Sequence, residues 1–163
     1  MSRGGATAIR AFALDDAEAV AILSEEMQAH YGVACPPRNA IVADLRDLPP
    51  GVRLLVATDP ERVVGFASVS PIYPGPGLRK GLFLKELYVS SSVRGRGIGR
   101  ALMAACAAEA VGGGYSRIDL TAAVDDAKLM DFYRDLGAVP DSKRSFLRIA
   151  GEGLTRLAND FAP

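Results

Sequence analysis

Apolar and polar residues recur with two different periods along this chain, and the switches between them mark out its elements. A short alternating run, Ala8–Phe12, predicts a first strand. Between Ala17 and Ala29, Val20, Leu23 and Met27 return every three or four residues, the repeat of one helix face, and Leu14-Asp15-Asp16 ahead of them offers an N-cap aspartate. Tyr31–Arg38 holds Gly32, Pro36 and Pro37 and reads as a loop; a second helix is predicted over Asn39–Leu48, ended by Pro49-Pro50-Gly51. Val52–Thr58 and Val63–Ile72 are apolar and β-branched and flank Asp59-Pro60-Glu61, the turn chemistry of a hairpin. Pro71–Gly77 makes an irregular excursion, and Gly81–Val89 is apolar enough for a strand buried on both faces at the centre of a sheet.

The second half alternates again. Ile98, Leu102, Cys106 and Ala110 lie on one stripe of a helix over Ile98–Val111, which Gly112-Gly113-Gly114 stops. Arg117–Ala123 reads as a strand. Ala127–Leu136 is a helix with Leu129, Phe132, Tyr133 and Leu136 on one stripe and Gly137 as its cap. Ser145–Ala150 reads as a last strand and Gly153–Asn159 as a short terminal helix. The order β-α-α-β-β-β-α-β-α-β-α predicts an α/β (α+β) chain, one domain over residues 1–163, with helices covering a mixed sheet.

Composition narrows the function classes. At 163 residues, 49% hydrophobic and 23% charged, the chain can build a core of its own. Nineteen basic residues balance nineteen acidic ones, which disfavours a broad attraction to nucleic acid or membrane. The apolar runs fall short of a bilayer span and Met1–Ala11 lacks a signal-peptide core, so a soluble, cytoplasmic protein is expected. Cys35 and Cys106 form neither a metal spacing nor a disulfide framework, and no metal is expected. Cys106 reads as a small core hydrophobe. Cys35 precedes Pro36-Pro37, with His30 as its one nearby base.

Chemistry concentrates at Arg94-Gly95-Arg96-Gly97-Ile98-Gly99-Arg100, between a strand and a helix. The first N–H groups of a helix lack partners within it, and the helix dipole adds positive potential there. Glycines admit a phosphate to the backbone, and three arginines add charge, so a pyrophosphate is the natural guest. The loop is not a P-loop, which needs Gly-Lys-Ser/Thr, and its Gly95-x-Gly97-x-Gly99 spacing differs from the dinucleotide fingerprint. A plain strand–helix turn with solvated arginines remains the bland alternative.

Arg94-x-x-Gly97-x-Gly99 resembles the Q/R-x-x-G-x-G/A signature of the GNAT acetyltransferases, and the run from Leu87-Tyr88-Val89 to Leu102 resembles that family's strand–loop–helix. Phe132-Tyr133-Arg134-Asp135-Leu136-Gly137-Ala138 is similar to its F-Y-x-x-x-G-[FA] element, and Ile9–Leu23 to its opening strand and helix. Leu84-Lys85-Glu86-Leu87-Tyr88-Val89, Leu136-Gly137-Ala138 and Phe146-Leu147-Arg148-Ile149 look most like the diamine (spermidine/spermine) acetyltransferase-like group. The resemblance implies a GNAT fold, with a central sheet of six to seven strands and helices on both faces. It also implies an N-acetyltransferase that uses acetyl-CoA on a primary amine.

By the same resemblance, the backbone of Leu87 and Val89 would pair with the pantetheine arm. The amides of Gly95, Arg96, Gly97, Ile98, Gly99 and Arg100, with Arg94, would hold the pyrophosphate. The N–H of Leu87 or Tyr88 would face the acetyl carbonyl and stabilise an oxyanion. Tyr133 would be the acid beside the sulfur, or only a core aromatic. Glu86 would be the base, or only a partner for Lys85, Arg79 or Lys80. Asp126 stands where the family often has an asparagine on the cofactor arm. Lys85 replaces the first of two adjacent acids typical of the diamine group, which disfavours a polyamine. The acceptor would lie near Glu25–Arg46 and Ile72–Arg79, with His30, Tyr31 and Lys85 as pocket residues and Glu25 and Glu26 as either attractors of an ammonium or a solvated face. A small-molecule amine is the expected partner. A protein N-terminus or lysine, a non-catalytic acyl-CoA sensor and a nucleotide-binding module remain alternatives, and Leu154–Phe161 could contribute to a homodimer.

Overall fold

A computed structural model of the chain describes residues 7–60 and 62–160. Glu61 of the expected turn, Phe161 of the terminal helix and the start of Met1–Ala11 lie outside the described residues. The residues up to Leu120 form one compact unit and those from Thr121 onward a second.

The first unit is a five-stranded sheet in chain order: β1 (Ala8–Ala11), β2 (Arg53–Thr58), β3 (Val63–Ile72), β4 (Gly81–Val89) and β5 (Ile118–Leu120). Neighbours are antiparallel except β4 and β5, so the sheet is mixed. Helices α1 (Ala17–Tyr31) and α2 (Arg38–Arg46) join β1 to β2, and α3 (Ile98–Gly112) makes the crossover that a parallel β4–β5 pair requires. The expected hairpin is β2–β3. Its turn closes with Asp59 N–H donating to Arg62 O at 3.0 Å and Arg62 N–H to Asp59 Oδ1 at 2.9 Å.

Alternation along the strands sorts the core onto two faces. Val56, Phe66 and Tyr88 lie in register and pack with Val20, Leu23 and Met27, the apolar stripe of α1. One residue along, Ala57, Gly65 and Val89 face the other way, and a Cβ on Gly65 would meet Leu102 of α3 at 3.4 Å. Leu102, Cys106 and Ala110 are buried there as their spacing predicts. Helices thus cover both faces of the sheet.

The expected N-cap aspartate takes a different part. Asp16 makes no side-chain cap bond to α1. Its carboxylate instead takes both guanidinium nitrogens of Arg10, at 2.6 and 2.8 Å, and the Ala13 N–H at 2.8 Å, pinning the corner between β1 and α1. The Arg10 guanidinium holds this buried carboxyl below its ordinary range, against the opposing effect of burial.

Two strand expectations need correction. The sheet has five strands, not six to seven. Arg117–Ala123 shrinks to the three residues of β5, and Ser145–Ala150 forms no strand at all. A β pattern becomes a strand only when a neighbour completes its ladder. None of the described residues pairs with Ser145–Ala150, so Phe146, Leu147 and Ile149 stand exposed. The second unit carries α4 (Ala127–Asp135) and α5 (Gly151–Asn159), whose Leu154 and Leu157 are also exposed. No helix among the described residues is long and apolar enough to cross a membrane.

Candidate functional site

Two local irregularities in β4 shape the site. The first is a bulge: Glu86 pairs with Ser68 and Leu84 with Val69, which leaves Lys85 as the extra residue. In a regular strand Lys85 and Glu86 would point to opposite faces. Here Lys85 Nζ comes within 3.5 Å of Glu86 Oε1. The Lys85 side chain is exposed and that of Glu86 partly so, and an ion pair of that kind contributes little to stability. Glu86 therefore has one of the salt-bridge partners anticipated from sequence, and its carboxylate remains reachable from solvent.

The second is a splay. β5 pairs with β4 only from Leu82 to Leu84, with Leu82 N–H donating to Arg117 O at 2.9 Å. From Glu86 to Val89, β4 keeps β3 on one side and has no strand among the described residues on the other. Backbone N–H and C=O groups on that open edge can accept an extended ligand as if it were another strand. The Val89 carbonyl already accepts from Arg94 Nε at 3.0 Å.

The chain then turns from β4 into α3. Buried Val93 anchors the turn, and Gly95 and Gly97 adopt φ of 78° and 77°, a conformation that costs an L-residue energy. A Cβ at either would meet nothing within 4 Å, so the space over this backbone is open. Gly99 lies in the first turn of α3. That helix has no side-chain cap and no acid in its first turn. Its leading N–H groups are thus free of competing side-chain acceptors. Arg94, Arg96 and Arg100 are exposed, and neither Arg96 nor Arg100 pairs with a carboxylate among the described residues. Uncapped amides, unpaired guanidinium groups and open space together suit a diphosphate.

Residues proposed for the acceptor side have varied surroundings. His30 and Tyr31 are exposed at the end of α1, their rings edge to face at 5.1 Å. Glu25 is held by Arg38 at the start of α2, with Nη2 to Oε2 at 2.6 Å, and that guanidinium keeps its carboxyl below the ordinary range. Glu26 turns to the end of β4 instead. It takes the Ser91 N–H at 2.8 Å, and the Ser90 hydroxyl lies 3.2 Å from Oε2. Both carboxylates are therefore occupied. Arg117 ties the excursion before β4 in place, donating to Arg79 O at 2.9 Å and to Asp119 at 2.8 Å.

In the second unit, Tyr133 is buried on α4 with the Phe132 ring edge-on at 5.1 Å. Asp126 is the N-cap of that helix, accepting from Leu129 N–H at 3.0 Å, so one of its oxygens has a structural task. Among the described residues, no group of three or more His, Cys, Asp or Glu could hold a metal.

A family model for the acetyltransferase (GNAT) family matches residues 17–138. An L-ornithine N5-acetyltransferase (NATA1) of Arabidopsis thaliana is 26% identical over 95 residues, which is 58% of this chain and 42% of that protein. The match thus spans less than half of the curated relative. An integron cassette protein from the mobile metagenome of V. cholerae superposes with a TM-score of 0.83 at 29% identity, over 95% of this chain and 99% of its own. An aminoglycoside N-acetyltransferase, AAC(6')-Iy, in complex with CoA superposes with a TM-score of 0.76 at 20% identity, over 91% of this chain and 97% of its own. At that identity the likeness is one of fold.

Proposed function

Because the chain belongs to the GNAT acetyltransferase family, we propose that it moves an acetyl group from acetyl-CoA to the primary amine of a small molecule, by direct attack in a ternary complex. The observation that carries this reading is the order of features along one stretch: an open β4 edge, then a glycine turn with open space above it, then an uncapped helix start. That order suits a ligand with an amide-bearing arm and a diphosphate, the two halves of coenzyme A. Leu87 and Val89 offer main-chain groups to the arm; Gly95 to Arg100, with Arg94, Arg96 and Arg100, take the diphosphate. Asp126 is assigned to the arm through the oxygen its cap bond leaves over.

The cofactor supplies an activated thioester. The chain's own residues must then manage two protons. An alkyl ammonium of pKa about 10.4 has to lose a proton before it attacks, and Glu86, reachable at the bulge, is assigned to accept it. The departing thiolate gains from a donor, and Tyr133 is assigned that part. The N–H of Leu87 or Tyr88 would serve as the donor to the acetyl carbonyl oxygen.

Lys85 selects the acceptor. An ammonium beside Glu86 repels a polyamine and attracts a substrate carboxylate, so an amino-acid-like amine fits better than a bare diamine; His30 and Tyr31 are assigned to its other end. The ornithine-specific name of one relative agrees with this choice. The test is release of thiol from acetyl-CoA across a panel of L-ornithine, L-lysine, putrescine, spermidine and an aminoglycoside. Turnover is expected with an amino acid, and Tyr133→Phe should lower kcat by about a hundredfold. CoA binding without turnover on any amine would refute the enzyme reading.

A further inference from the structure

We propose that Glu26 is a positioning residue for the cofactor loop: from helix α1 it fixes the segment Tyr88–Arg94 so that the amides of Gly95–Arg100 are already aimed at a diphosphate. This rests on the coenzyme A reading above. A network built around one carboxylate carries it. Oε1 accepts the Ser91 N–H at 2.8 Å, and the Ser90 hydroxyl lies 3.4 Å from Oε1 and 3.2 Å from Oε2. Burial, and next the nearby Glu26 carboxylate, pushes the Tyr88 phenol above its ordinary range. Two successive stations of the chain, Ser90 and Ser91 at the point where it leaves β4, thus converge on a single side chain 64 and 65 positions earlier.

From these stations order passes forward. The Ser90 hydroxyl, buried, lies 3.1 Å from that of Ser92, which also accepts from Arg62 Nη2 at 3.1 Å. The Tyr88 ring, buried at 4% exposure, lies under the Arg94 guanidinium at 5.2 Å, while Arg94 Nε holds the Val89 carbonyl. Arg94 opens the glycine turn, stacked over a ring that feels the Glu26 carboxylate. The Ser91 N–H foremost keeps the Glu26 carboxyl below its ordinary range, so it stays an acceptor for all of these donors. A loop set in advance does not lose its freedom at the moment of binding, and affinity gains by that amount.

A purely architectural role, joining α1 to the sheet, would look different in kinetics. The experiment compares Glu26→Ala, Glu26→Gln and, as a control on the same helix, Glu18→Gln, at an exposed position in its first turn. CoA affinity is measured by calorimetry on each full chain, and the acetyl-CoA KM and kcat are measured at saturating amine. Glu26→Gln keeps the shape and one oxygen for the Ser91 N–H, so it folds and should recover part of the loss. Expected for Glu26→Ala is about a tenfold weaker Kd for CoA and a matching rise in KM, with kcat held within about twofold and Glu18→Gln unchanged. The proposal is overturned if wild type binds CoA and Glu26→Ala binds it equally well, or if kcat falls while KM stays. Failure of wild type to bind CoA at all would instead remove the function proposed above.

Discussion

Replacing Gly97 by alanine separates the cost of the loop's backbone shape from its use as a binding surface. Gly97 sits at φ 77° and ψ 5°, in the left-handed region, where an L-residue costs about 1–2 kcal/mol. Its Cβ would meet nothing within 4 Å, so no clash adds to that cost. Gly32, at the end of α1, is a matched control: φ 64°, ψ 29°, and equally open space. Each substitution should therefore lower the melting temperature by roughly 2–8 °C, read by scanning fluorimetry without ligand. A domain stable by about 5–15 kcal/mol remains folded after either loss, so differences in CoA affinity report the surface and not the folded fraction. The methyl of Gly97→Ala would stand where phosphate oxygens must reach the backbone. It should weaken CoA in calorimetry by at least about tenfold, some 1.4 kcal/mol, while Gly32→Ala leaves it unchanged. Wild-type affinity in Gly97→Ala, alongside the expected thermal loss, would refute this seat for the diphosphate.

Other consequences can be checked on the same protein. Leu102 is fully buried between α3 and the sheet, so Leu102→Ala should cost about 2–5 kcal/mol in denaturant unfolding; a loss below about 1 kcal/mol would mean that α3 is not seated as described. Asp16 has a depressed folded-state pKa, so it stabilises the protein above its unfolded value and loses that effect as pH falls through the folded one. Asp16→Asn should accordingly destabilise at neutral pH and flatten the decline below about pH 4, whereas parallel pH curves would exclude the Arg10 pairing. Burial, and next the charge of Glu109, pushes the Cys106 thiol up to about 11, while Cys35 is exposed. A thiol reagent should label Cys35 alone in the native protein and both cysteines after denaturation; native labelling of Cys106 would contradict its burial on the inner face of α3.

Legibility in the sequence followed the range of the forces involved. Val63–Ile72 and Gly81–Val89 are strands over the spans expected, because long apolar runs bounded by turn residues carry their own signal. The stripes Val20–Leu23–Met27 and Ile98–Leu102–Cys106–Ala110 face the core for the same local reason. The glycine turn between β4 and α3 was visible as composition. Its neighbours were not. The bulge at Lys85 involves no glycine or proline and exists only in register with Ser68 and Val69. Ser145–Ala150 has a strand's composition and lacks a partner, which no reading of one segment can reveal. Glu26 lies more than sixty residues from Ser90 and Ser91; its one sequence clue is its place three after Leu23, at the margin of the buried stripe.

The most direct test of the central claim is a titration of isotope-labelled protein with CoA, followed through the backbone amide resonances. Saturable shifts should be largest at the N–H groups of Gly95, Arg96, Gly97, Ile98, Gly99 and Arg100, with a second set along Leu87–Val89. Saturable binding that moves other amides and leaves the Gly95–Arg100 signals in place would contradict the account.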